Sequence, residues 1–172
     1  MKHLFLKTAL LIFMTTIFSC EDNTNTNDST GDDTFSCYVN GKLYIPSAGT
    51  GIGGGDIRPF YWTFEEDNNL FSIYTGGDYA IRITTINSVV GNNILNEELN
   101  DTFDYYHSGM IVQNELIFYN TKDGQNNGTV TFTEYNETKA LGTFECTLYN
   151  DNGDELKITN GKFNLTLDSR TN

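Results

Sequence analysis

The chain is poor in the residues that usually carry catalysis, metal binding or nucleic-acid contact. Of 172 residues, 10 are Lys or Arg, 2 are His, 3 are Cys, 2 are Pro and 1 is Trp, against 23 Asp and Glu. A formal net charge of −13 repels polyanions, and the basic residues beyond Lys2 and Lys7 are scattered from Lys42 to Arg170 rather than clustered. Nucleic acid is therefore not an expected partner. The cysteines, Cys20, Cys37 and Cys146, form no C-x-x-C pair, and the histidines, His3 and His107, form no paired zinc motif. No cofactor or metal is expected on these grounds. Long apolar runs are missing too: Thr8 to Phe18 stops well short of the roughly 20 residues a membrane-spanning helix needs.

That short run follows Lys2 and Lys7, the layout of a secretion leader. It ends in Ile17-Phe18-Ser19-Cys20, which resembles a bacterial lipoprotein signal, with Phe18 bulkier than usual and Ser19 in place of the commoner Gly or Ala. The resemblance implies a leader over 1–19, cleaved to leave Cys20 as a lipidated first residue in the outer membrane, facing the cell surface or the periplasm. Each buried methylene contributes about 0.8 kcal/mol and one acyl chain anchors only marginally, so a diacyl or triacyl (palmitate-type) modification holds a protein firmly. The stretch EDNTNTNDSTGDD behind Cys20 contains no aliphatic or aromatic side chain. It cannot bury enough apolar surface to offset its ordering entropy, so 20–34 reads as a flexible acidic tether and 35–172 as one domain.

Within that domain strand signals dominate. Phe35 to Val39, Asn40-Gly41 and Lys42 to Ile45 read as a hairpin with a type I′ turn. Further β-rich runs, among them Phe60 to Glu65, Leu70 to Thr75, Tyr79 to Ile86 and Leu141 to Tyr149, are separated by Asn, Asp and Gly turns. Asn160-Gly161 reads as a turn before a last strand from Lys162 to Leu167. One weak helical stripe, Ile94-Leu95, Leu99 and Phe103, interrupts the pattern. The expected fold is all-β, a single antiparallel β-sandwich or barrel-like domain.

The segments FSCYVNGKLYIPS and LGTFECTLYNDNGDELKITNGKFNLTL resemble a family of small Bacteroidetes-type envelope lipoproteins that carry a domain of unknown function. The resemblance covers most of Phe35 to Leu167 and implies an envelope location and a β-rich domain. It implies no activity and no catalytic residues.

Candidate sites are few. Gly49, Gly51 and Gly54 match the spacing of a dinucleotide fingerprint, but an aromatic β-like run follows instead of a helix, so no nucleotide is expected. Cys37 and Cys146 share an F-x-C-x-aliphatic pattern that turns both inward, as a disulfide or as two buried thiols. In FYWTFEED, Phe60, Trp62 and Phe64 fall on one strand face, either as core or as an exposed ligand platform, with Tyr61 opposite. Asp104-Tyr105-Tyr106-His107 brings together a carboxylate, two phenols and the only histidine beyond the leader. Tyr61, Trp62, Tyr105, Tyr106 and His107 are thus the candidate ligand contacts. Acid pairs such as Glu65-Glu66 could serve glycan hydrolysis, and Asp151 to Glu155 could hold calcium, although turn chemistry explains that loop as well. The expected partners are the membrane, through the anchor, and a glycan or envelope protein. The expected role is a non-enzymatic binding or envelope-interaction module, with a carboxylate-dependent glycan hydrolase or a purely structural protein as alternatives.

Overall fold

Alternating apolar residues become strands almost throughout. The computed structural model describes residues 32–50, 56–100 and 104–171; the leader, Cys20 and most of the tether lie outside them. β1 (Thr34–Val39) and β2 (Lys42–Tyr44) meet at Asn40 and Gly41, whose φ of 48° and 80° match the type I′ turn. β3 (Gly49–Thr50) and β4 (Asp56–Ile57) form a separate ribbon. There follow β5 (Phe60–Glu65), β6 (Leu70–Thr75), β7 (Ala80–Thr85), β8 (Gly91–Leu95), β9 (Gly109–Asn114), β10 (Ile117–Asn120), β11 (Gly128–Asn136), β12 (Lys139–Tyr149) and β13 (Glu155–Thr166), with a 3-10 turn at Leu167–Ser169.

Eleven of these strands make one antiparallel sheet, nine of them in the order β2-β1-β13-β12-β10-β9-β7-β6-β5 and two, β11 and β8, on a branch. It curls into a half-barrel, the all-β, barrel-like domain the sequence leads one to expect. The sheet forks at β12. Lys139 to Cys146 pair with β11, which carries β8 on its far side, while Tyr149 pairs with Asn120 of β10. The concave side is filled by a single cluster in which Trp62, Phe71, Ile73, Ile83, Met110 and Val130 are fully buried. Aromatic contacts knit it together: Phe71 meets Phe132 edge-on at 4.9 Å and stacks on Phe163 at 5.4 Å.

The two flanks of the curled sheet are drawn together by the C-terminal segment. Trp62 of β5 donates its indole N–H to Thr166 O at 2.8 Å, and its own carbonyl accepts from Thr171 N at 2.8 Å. Asp33 ties the chain's entry to the same place, accepting from Thr166 N (2.9 Å), Thr166 Oγ1 (2.6 Å) and Ser169 Oγ. Burial opposes ionisation of Asp33, but these donors outweigh it and hold its pKa below the ordinary value. The last tether residues are therefore structural: Asp33 is a latch and Thr34 already belongs to β1.

Two expectations are corrected. Ile94-Leu95 begin no helix; they end β8, whose Asn93 donates from Nδ2 to Val89 O and Gly91 O, locking the strand's start beside β11. Leu99 is buried in the following loop, and Phe103 lies outside the described residues. Cross-strand pairing has overridden a weak helical spacing.

Asn160-Gly161 likewise make no turn. β13 runs through them, and they form a bulge: Thr159 and Asn160 together face Glu145 of β12, while Asn160 and Gly161 face Cys37 of β1. Asn160 takes the left-handed conformation (φ 50°) that the extra residue requires. Long pairing partners on both sides outweigh a local hairpin signal that has nothing else to pair with. Gly161 is covered by the Phe144 ring, whose atoms lie 2.6 Å from where a Cβ would sit. That ring is itself stacked on Phe35 at 5.1 Å, so it has little room to yield. Gly161→Ala should therefore destabilise the domain by about 1–3 kcal/mol, read as a lower urea midpoint with Trp62 fluorescence as the probe; an unchanged midpoint would show that the ring moves freely.

Candidate functional site

The β8–β9 connection does not stay at the rim of the sheet; it folds across its outer face. Its first part is pinned by Asn120, which donates from Nδ2 to Leu99 O at 2.7 Å and accepts from Leu99 N at 3.2 Å. Thr121 Oγ1 adds a bond to Glu97 O. Its second part rests on Arg82. In register across the outer face stand Tyr61, Tyr74, Arg82 and Ile111, from β5, β6, β7 and β9. Arg82 is only 3% exposed, because Tyr105 lies on its guanidinium at 4.6 Å and Asp104 O accepts from Nη2 at 3.2 Å. Nε donates to Thr84 Oγ1 at 3.1 Å. Among the described residues no carboxylate forms an ion pair with Arg82, so stacking and neutral acceptors carry its charge.

Held in this way, the loop organises itself around Asp104. One carboxylate oxygen accepts from Asn100 N (2.8 Å), Asn100 Nδ2 (3.0 Å) and His107 Nδ1 (2.8 Å), and the other from Tyr106 N at 2.9 Å. Burial raises the Asp104 pKa, yet the Asn100 and Tyr106 amides and His107 outweigh it, and the net shift is downward. The same contact raises His107, helped by the charges of Asp104, Glu97 and Asp123 and opposed by partial desolvation. His107 stands on the rim of a groove of about 440 Å³ lined also by Asn96, Glu97, Glu98 and Asp123. A carboxylate on Nδ1 leaves Nε2 available for proton exchange. Among the described residues no free nucleophile lies beside it: the neighbouring Ser108 hydroxyl is turned toward Ile86, whose N–H it accepts at 3.1 Å.

The sequence candidates separate. Tyr61 stacks half-buried on Tyr74 at 5.3 Å, and Tyr105 covers Arg82, so these two share one face. Tyr106 is 79% exposed and His107 lies beside the groove. Trp62 does not belong with them: it is fully buried, with its N–H bonded to Thr166 O, and is no ligand platform. Tyr74, Arg82 and Asn120 were not legible as site residues, because an outward position on an alternating strand reads as solvent-facing unless the covering loop is known.

Other readings resolve more simply. Gly49 lies in β3, which pairs with β4 as an antiparallel ribbon, while Gly51 and Gly54 lie outside the described residues. In the acidic loop, Asn150 Oδ1 accepts from Asn152 N and Asp154 N, the side-chain turn expected of Asn. Among the described residues no group of three or more His, Cys, Asp or Glu is placed to hold a metal ion. Cys37 and Cys146 are free, buried thiols. β13 runs between their strands, which sets them about 10 Å apart, beyond disulfide reach. Burial pushes both thiols up to about 12. Cys20 lies outside the described residues.

No protein-family model matches the chain, and no curated protein and no solved structure is significantly similar to it. The site must be judged by its chemistry alone.

Asp104→Asn should lower the His107 pKa toward its ordinary value of about 6.5, as followed by the imidazole NMR shift. Because the folded-state pKa is raised, the histidine's contribution is complete below its unfolded pKa and disappears as pH rises through the folded one. Stability of the native protein relative to Asp104→Asn should fall across that window; parallel pH profiles would discount the pair. Cys37 and Cys146 should resist alkylation at pH 8 in the native protein and react once it is unfolded; rapid native labelling would contradict their burial.

Proposed function

We propose that the chain is an envelope lipoprotein, anchored in the outer membrane through Cys20, whose β domain is a non-enzymatic module that binds a glycan or an envelope protein. The observation that carries this reading is the pair of described loop segments Asn96–Asn100 and Asp104–Ser108. Arg82, Asn120 and Asp104 hold them in place, yet they display Tyr106 to solvent and His107 beside a groove. Exposed aromatic and polar groups on a loop fixed by a rigid scaffold are a common basis of recognition, because little ordering entropy remains to be lost on binding. The apolar leader ending at Cys20 and the resemblance to Bacteroidetes-type envelope lipoproteins supply the location.

Glycan hydrolysis requires a carboxyl held protonated to act as general acid, and Asp104, the carboxyl that binds His107, does not supply it, because its donors favour the ionised form.

Two measurements test the proposal. Palmitate labelling should mark the full-length protein and vanish in Cys20→Ala; an unlabelled wild type would remove the anchor. On immobilised envelope glycans and isolated envelope proteins, Tyr106→Ala should weaken binding about 5- to 30-fold, the range of a single aromatic anchor. Glycan turnover lost in His107→Ala or Glu97→Gln would instead establish an enzyme.

A further inference from the structure

A second surface, along the strand that leads into the Tyr106 loop, has its own chemistry. β8 pairs with β11 on one side only. Asn96 N–H turns away from β11 to Ser108 O at 3.1 Å, whereas Leu95 O accepts from Asn127 N at 3.3 Å on the β11 side. Backbone groups alternate sides along an antiparallel strand, so Gly91, Asn93 and Leu95 address β11 while Asn92 and Ile94 point their N–H and C=O to the open edge. Among the described residues no backbone group meets them.

Three apolar side chains flank this edge in the open: Val89, Val90 and Ile94, exposed by 56%, 62% and 53%. Val89 and Val90 continue into a groove of about 410 Å³ at the end of the half-barrel, whose other walls include Phe64, Asn69, Glu66 and Glu137. Arg170 lies over the Phe64 ring at 5.6 Å, so the valines form the accessible apolar wall.

We propose that the β8 edge and this groove form a strand-addition site for an extended polypeptide segment that alternates apolar and basic residues. Only a peptide backbone offers donors and acceptors that alternate as Asn92 and Ile94 require, and apolar side chains on such a strand would cover Val90 and Ile94. Charge selects the occupant. Glu66 and Glu137 border the groove, Arg170 beside it is engaged over Phe64 and by Glu137 O, and the chain as a whole carries −13. A second copy brings the same charge and is disfavoured; a lysine- or arginine-bearing strand is favoured.

The test uses the full-length protein and a fluorescent peptide of alternating lysine and valine, with the same peptide N-methylated at alternate amides as its partner probe. Saturable binding of the first is expected, weakened at least tenfold by N-methylation, which removes pairing but keeps charge. Ile94→Pro removes an outward N–H without touching the β11 ladder and should weaken binding to a similar extent. Glu66→Gln with Glu137→Gln should reduce both affinity and its dependence on salt. Equal binding of the two peptides would reduce the surface to a charge effect and overturn the proposal, whether or not Ile94→Pro folds. So would the absence of saturable binding, or concentration-dependent dimers that Ile94→Pro abolishes.

Discussion

Everything described depends on how the curled sheet is held at its seam, and one side chain is central there. Trp62 fills the core from β5 while its N–H binds the last residue of β13 and its carbonyl the segment that follows. An indole contributes a large apolar surface and one directional donor, so a single residue couples packing to closure. Asp33 binds that same segment from the other end of the chain. The two termini of the domain thus stabilise one seam, and the half-barrel keeps its shape although its ladder is not continuous around it.

A closed seam on one flank leaves the opposite flank free to fork. β12 is long enough to serve two neighbours, β11 along its first part and β10 at its last residue, and the connection between β8 and β9 is released over the outer face. That loop needs support which a loop of polar residues cannot supply for itself. Arg82 provides it by accepting burial under Tyr105 without an ionised partner among the described residues, an arrangement that costs desolvation and is offset by stacking and neutral acceptors. The described parts of the loop and the scaffold are therefore one mechanical unit, in which the sheet fixes the position of Tyr106 and His107.

The same fork creates the second surface. Because β11 takes β8 with it, β8 ends the branch, and among the described residues no strand pairs with its far edge. Natural sheets commonly protect such an edge with charge or proline. Here the protection is partial, since Asn92 is polar but Val90 and Ile94 are not.

Much was legible before any coordinates. Period-2 alternation identified the strands and the class, Asn40-Gly41 identified its turn, and the spacing of Phe60, Trp62 and Phe64 told which face they share, because each of these depends on residues close in sequence. The proposed leader and the proposed anchor at Cys20 also rest on local composition alone. What only the tertiary structure decided is whatever depends on residues far apart. Asn160-Gly161 became a bulge because β1 and β12 both pair through it. The two cysteines stay apart because β13 lies between their strands. Arg82, an outward residue on its strand, is buried because a loop more than 20 positions later in the chain settles on it. Local sequence sets the direction of a side chain, but the partner that waits there is chosen by the path of the whole chain.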